Sequence, residues 1–117
     1  MKAIIEVSPN GAVFRAVRKQ LAQARRGRRV DYRLSFESAR SLFAELTPAR
    51  LDLLNTLHAM GPSSVYALAQ SAGRNYSNVH ADVACLAGLG LVERHTDETV
   101  FVPFDAVEIR MNLRQAA

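Results

Sequence analysis

The side chains with the most chemistry to offer are three histidines, His58, His80 and His95, and one cysteine, Cys85. The histidine spacings match no ligand pattern such as His-Glu-x-x-His, and one thiol makes neither an internal disulfide nor a Cys-pair metal site. No glycine-rich phosphate loop, nucleophile elbow or paired-carboxylate arrangement occurs. The expectation is therefore a protein with no catalytic residues, no metal and no cofactor. His58 reads as a residue near a helix C-terminus, where the dipole favours it, and Cys85 as a bystander thiol with no cation obviously beside it. The chemistry left is hydrogen bonding and charge. It gathers in two places: Arg74, Tyr76, Ser77, Asn78, His80 and Ala81, with Arg94 further on, and a run of cations between Arg15 and Arg29.

The 117 residues amount to a modest core, and 49% hydrophobic with 22% charged residues is ordinary for a globular chain. Trp is absent, so the core must rely on Leu, Val and Ala. No apolar stretch approaches the roughly 20 residues that span a bilayer, and no secretory signal is visible, which predicts a cytoplasmic protein without membrane attachment. Net charge is +4, unevenly spread. Residues 1–33 hold nine Lys/Arg against two acids, whereas residues 34–117 hold six against nine. That asymmetry suggests a polyanionic partner for the N-terminal third, nucleic acid or an acidic protein, although a solvated helix face has the same composition.

Patterning places these residues on elements. Residues 2–7 read as a strand ending at Ser8-Pro9-Asn10-Gly11, and Pro9 also suits a helix start. Val13, Val17, Leu21 and Ala24 then recur at helical spacing, with Arg15, Arg18, Lys19, Arg25 and Arg26 on another side; Gly27 is the stop, and Arg28 and Arg29 lead into a short strand over 30–34. Ser35 is a candidate cap for a helix reaching about Leu46, with Phe36, Ala39, Leu42, Phe43 and Leu46 inward. Thr47-Pro48 is a strong helix start, followed by a stripe of Leu51, Leu53, Leu54 and Leu57 and a stop at Gly61-Pro62. Ser63 or Ser64 caps a shorter helix with Val65, Leu68 and Ala69 inward, ending near Gly73. Asn75 caps another from Tyr76 to about Leu89, and Gly90 breaks it. Residues 91–94 and 99–102 flank a polar turn, a hairpin pattern that Pro103 closes. Val107, Ile109, Met111 and Leu113 alternate with polar residues as a half-buried strand.

Three short helices and a hairpin are the layout of a winged helix, whose third helix enters the major groove of DNA. Projected at about 100° per residue, the helix after Asn75 turns Val79, Val83 and Leu86 to the core. Its other side shows Ser77, Ala81, Ala84 and Gly88, flanked by Asn78, His80 and Cys85. Ser77, Asn78, His80 and Ala81 are the candidate base contacts, and Arg74, Tyr76 and Arg94 the candidate phosphate contacts, with the helix N-terminus adding its own N–H groups. A stripe of small residues also suits packing against another protein.

The stretches Leu46 to Leu54, Val65 to Ala69, Asn78 to Val83 and Leu89 to Glu93 resemble winged-helix regulators related to MarR and ArsR. The likeness is greatest to small DNA-binding proteins of bacteria and archaea, some of which resemble antitoxins of toxin–antitoxin pairs. It implies a dimeric transcriptional regulator that represses its own operon. Two features depart from the pattern: Ala81 stands where relatives often carry a basic residue, and the wing tip holds Asp97 and Glu98.

The expected fold is thus α+β, a winged helix-turn-helix over 35–117 that includes a C-terminal strand, preceded by a basic strand-helix-strand extension over 1–34. The expected partner is double-stranded DNA, bound by a homodimer in which the terminal strands 4–7 and 107–113 supply edges for pairing. The alternative is an antitoxin that neutralises a toxin protein through the basic face of Arg15, Arg18, Lys19, Arg25, Arg26, Arg28 and Arg29.

Overall fold

The computed structural model describes residues 1–8 and 30–113. The helix expected after Pro9, and with it the whole basic face from Arg15 to Arg29, lies outside them. Among the described residues the elements are, in order, β1 (Lys2–Val7), β2 (Tyr32–Phe36), α1 (Ala39–Glu45), α2 (Pro48–Met60), α3 (Val65–Ala72), α4 (Tyr76–Gly88), β3 (Glu93–Arg94), β4 (Val100–Phe101) and β5 (Ala106–Met111). The class is α+β. The chain divides into two compact units, Met1–Ala44 with Phe104–Ala117, and Glu45–Pro103.

The first unit is built on a three-stranded sheet in the order β2-β1-β5. Both pairings are parallel, with Ile5 beside Leu34 on one side and beside Ile109 on the other. This corrects the expectation that residues 4–7 form a free edge: β1 is the central strand. Ala3, Ile4 and Ile5 are all buried, so both faces of β1 are covered. A consecutive apolar run is what a central parallel strand requires. Tyr32 stacks on Phe104 with ring centroids 5.8 Å apart, and Leu34 and Phe36 are buried beside them. The C-terminal strand shares this sheet with β1, although the sequence division set the two in separate regions.

Two boundaries move. β2 starts two residues later than expected and runs to Phe36, so Ser35 is a buried strand residue and not a helix cap. Ser38 takes the capping role instead, its hydroxyl accepting from Ser41 N at 3.1 Å. Leu42 and Leu46 are buried as expected, but Phe43 is exposed rather than inward. β5 forms as expected, but it is not half-buried along its apolar side, because Ile109 and Met111 are exposed.

The second unit follows its local signals closely. Thr47 accepts from Arg50 N, Ser64 from Ala67 N at 3.0 Å, and Asn75 from Ser77 N at 2.9 Å and Asn78 N at 3.3 Å. Each hydroxyl or amide oxygen satisfies a backbone donor that the first helical turn leaves orphaned. Gly73, at φ 66°, ψ 33°, ends α3 in the left-handed region, and Arg74 N reaches back to Ala69 O at 3.0 Å. Gly90 does the same after α4, with Leu91 N bonded to Leu86 O at 3.0 Å. Glycine suits both positions because a Cβ is strained at positive φ. The core of this unit is Leu53, Leu54 and Leu57 from α2, Val65, Leu68 and Ala69 from α3, and Val79, Val83 and Leu86 from α4, with Leu91, Val92 and Val100 from the hairpin region.

β3 and β4 pair antiparallel, Glu93 with Phe101 and Arg94 with Val100. A third strip joins them. Ser63, just before α3, forms a bridge with Val100, through Ser63 N to Val100 O at 3.0 Å and Val100 N to Ser63 O at 2.8 Å. These two bonds tie the hairpin to the start of α3.

Candidate functional site

The site is built on α4. Val79, Val83 and Leu86 fill the core at 0–1% exposure, and the period of 3.6 residues then sends the rest outward. Ser77, Asn78, His80, Ala81, Ala84 and Gly88 are exposed, as the helical projection expected, and so is Tyr76, which the projection sets at the edge of the core face. Ser77, Asn78 and Ala81 lie on this open face. Tyr76, His80 and Arg94 come together in a cleft of about 500 Å³, with Tyr66 from α3 and His95 and Thr99 from the hairpin. The Tyr76 ring lies 6.5 Å from that of Tyr66 and 5.8 Å from that of His80, so it neighbours two other exposed rings. Gln70 Nε2 donates to Tyr66 Oη at 3.0 Å.

The hairpin wall of the cleft is set by its turn. Glu98 N donates to His95 O at 3.0 Å and His95 N to Thr99 O at 2.8 Å, with Glu98 at φ 70°. This is a three-residue hairpin loop ending in a left-handed residue, a common closure in which glycine is usual at the last place. Asp97 Oδ1 accepts from Thr99 N at 3.0 Å and Thr99 Oγ1 at 2.7 Å, and these bonds hold its carboxyl below the ordinary value. His95 stacks on Phe101 with centroids 4.2 Å apart, which fixes the ring against β4.

Arg74, a candidate phosphate contact, is engaged within its own unit. Its Nη2 donates to Asp82 Oδ2 at 2.7 Å, and Arg50 Nε donates to Asp82 Oδ1 at 3.0 Å. Arg50 Nη1 also donates to Glu45 O at 2.8 Å. One carboxylate on α4 therefore gathers a cation from α2 and another from the turn before α4. Asp82 is only 14% exposed. Burial alone would raise its pKa, but the hydrogen bonds from Arg74 and Arg50 win and hold it below the usual range. The same bond to Asp82 raises the pKa of Arg50. Arg74 Nη1 is buried and finds no acceptor among the described residues. Arg74 thus holds α4 in place, and its guanidinium is engaged inside the fold. The expected anion site at the start of α4 is also partly used, since the Ser77 and Asn78 N–H groups both donate to Asn75.

Sequence reasoning missed Asp82 and Arg50 as a pair. The available signal was that Asp82 is the only acid on α4 and falls at the edge of its core face. Tyr66, an exposed ring one position after the inward Val65, was missed as well. Cys85 lies at the other side of α4, where its thiol donates to Glu45 Oε2 at 3.2 Å. Burial and that acidic neighbour raise its pKa; Arg50, close enough to lower it, is outweighed. A thiol held protonated is a poor nucleophile. No group of three or more His, Cys, Asp or Glu residues able to hold a metal is present among the described residues, and no helix there is long and apolar enough to cross a membrane.

The family model HVO_A0114 matches residues 45–109, more than half of the chain. The chain belongs to the HVO_A0114 family. The match runs from the last residue of α1 into β5, and so takes in α4, the cleft and the Arg50–Asp82–Arg74 bridge. No curated protein matches the chain. No solved structure matches it.

Proposed function

We propose that this HVO_A0114-family protein is a cytoplasmic transcriptional regulator, a winged helix-turn-helix of the MarR- and ArsR-like kind without enzymatic activity, that binds double-stranded DNA as a homodimer. In this reading α3 and α4 are the helix-turn-helix, α4 lies in the major groove, and β3–β4 is the wing. The observation that carries it is the outward face of α4, where Tyr76, Ser77, Asn78, His80 and Ala81 are all exposed while the helix's one acid is bridged by two arginines. A helix presented to a polyanion must not offer it a bare carboxylate. The Ser63–Val100 bridge beside the hairpin supports the wing, because it anchors β4 to the start of α3.

Roles follow from placement. Ser77, Asn78, His80 and Ala81 face base edges, by hydrogen bonds or by methyl contact with thymine. Tyr76 and Arg94 reach phosphates; Arg74 positions α4 through Asp82. With Asp97 and Glu98 at the tip of the hairpin, this surface has little positive field of its own. The cations of residues 15–29 supply the sequence-independent attraction, since each neutralised phosphate releases counterions.

A gel-shift titration on the gene's own upstream DNA at two salt concentrations tests this. Replacing Ser77 and Asn78 together with Ala is expected to weaken specific binding by about 30-fold or more, as each good base contact is worth about 1–3 kcal/mol. Unchanged affinity would sink the assignment. Arg94→Ala should weaken all sequences alike and reduce the salt slope by about one. The charge of residues 1–33, nine cations against two acids, also favours an antitoxin that holds an acidic toxin protein through that region. Co-purification with the product of a neighbouring gene, lost when Arg25, Arg26, Arg28 and Arg29 become Glu, is its test.

A further inference from the structure

β5 is an edge strand: β1 pairs with one side of it, and among the described residues no strand pairs with the other. An open edge presents a row of N–H and C=O groups to any strand that can match it. Its side chains separate cleanly by face. Val107, Ile109 and Met111 share a face with Ala3, Ile5 and Val7 through the register of the sheet. That face is closed at Ala3 and Ile5 but open at the rim, where Ile109 is 41% and Met111 56% exposed. On the opposite face Glu108 accepts from Arg110 Nη2 of the same strand at 3.2 Å and from Lys2 Nζ at 3.5 Å.

We infer that this edge is a self-association surface, on which β5 pairs antiparallel with β5 of a second copy about a two-fold axis at Ile109. The register follows from side-chain chemistry. Residues directly opposite in an antiparallel pair share a face and interact, and a slip of one residue exchanges the faces. An axis midway between two residues therefore opposes residues of different faces, and beside Ile109 it sets that residue against Glu108 or Arg110. An axis at Glu108 opposes two carboxylates, and one at Arg110 opposes two guanidiniums. Axes further out set Ile109 against Asp105 or run past the strand's end at Met111. The axis at Ile109 places each Glu108 opposite the second copy's Arg110, each Val107 opposite its Met111, and Ile109 opposite itself. Two ion pairs then lie on one face and an unbroken apolar row on the other. The exposed Glu108–Arg110 contact within one strand is weak, so redirecting it across the axis costs little. A single strand pairing is small beside the roughly 1,200–2,000 Å² of a stable interface, and the dimer is accordingly reversible and concentration-dependent.

The surface lies on the sheet, and its test needs no DNA, so it stands or falls apart from the reading of α4. Sedimentation equilibrium of the full chain over a concentration series is expected to show a monomer–dimer equilibrium. Glu108→Arg should weaken the dimer by about tenfold or more, since like charges opposite each other twice cost of order 1 kcal/mol. The double variant Glu108→Arg, Arg110→Glu restores complementarity in the same register and should return the dimer to near its original strength. In a Cys85→Ser background, Ile109→Cys should cross-link on mild oxidation while Thr96→Cys at the hairpin tip does not. Opposed Cα atoms in an antiparallel pair lie about 4.5 or 5.5 Å apart, both within the disulfide range of about 4.4–6.8 Å. A chain that stays monomeric throughout, a dimer indifferent to Glu108→Arg, or a charge swap that fails to restore it overturns the proposal. Should Glu108→Arg lose its circular dichroism signal, the double variant and the cross-link decide the matter alone.

Discussion

The two units hold their charges in contrasting ways. In the helical unit one carboxylate, Asp82, is 14% exposed and bridges two guanidiniums that are 23% and 30% exposed. In the sheet unit the Arg33–Glu6 pair is shorter, at 2.6 Å, yet its partners are 49% and 27% exposed. Distance alone would rank the sheet pair first. Environment reverses the order, because water screens an exposed pair and competes for both partners, whereas a part-buried carboxylate stripped of its partners leaves charges that cannot be rehydrated cheaply. A salt bridge near the surface decorates an existing sheet. One at the junction of α2, the α3–α4 turn and α4 decides where α4 points.

The sharpest way to break this contrast is Asp82→Ala. Two arginines lose their shared acceptor, one with a nitrogen already buried without a partner, and we expect a loss of about 3 kcal/mol in chemical denaturation. A loss below about 1 kcal/mol would place this bridge with the surface pairs.

Acid titration gives the next largest effect. The folded pKa of Asp82 is depressed below its ordinary value of 3.8, so the folded state binds fewer protons there than the unfolded state. Its contribution is complete above the unfolded pKa and is lost as the pH falls through the lower folded value. Stability should therefore fall with pH below about 4, and Asp82→Asn should flatten that slope.

A third measurement concerns backbone strain in the helical unit. Glu98 holds a left-handed conformation at φ 70°, which costs a side-chain-bearing residue roughly 1–2 kcal/mol, so Glu98→Gly should raise the unfolding midpoint in spite of glycine's extra chain entropy. A gain of about 0.5–1 kcal/mol is expected, and a loss would mean that the Glu98 side chain, rather than its backbone, holds the turn. The smallest effect belongs to the sheet: Arg33→Ala should cost no more than about 0.2–1 kcal/mol, less still at high salt.

The same division governs what could be read in advance. Thr47, Ser64, Asn75, Gly73 and Gly90 act on backbone groups within a few residues of themselves, so the limits of α2, α3 and α4 were legible. So was the exposed face of α4, since Val79, Val83 and Leu86 at helical spacing leave only one way for Ser77, Asn78 and Ala81 to point. In the sheet unit the signals are not local. Nothing near Ile4 says that its strand has neighbours on both sides, and nothing near Ser35 says that β2 continues through it. The pairing partners lie 29 residues away at Arg33 and 104 away at Glu108.

By itself the sequence determined the helices of the second unit, the hairpin and the outward residues of α4, because capping, helical period and turn chemistry are short-range. The uneven spread of charge was legible in the same way. Only the tertiary structure decided that β1 is central, that β5 closes one side of its sheet with no further strand beside it among the described residues, and that Arg74 meets Asp82. Those outcomes depend on contacts between distant residues, where a guanidinium meets whichever carboxylate the fold brings to it.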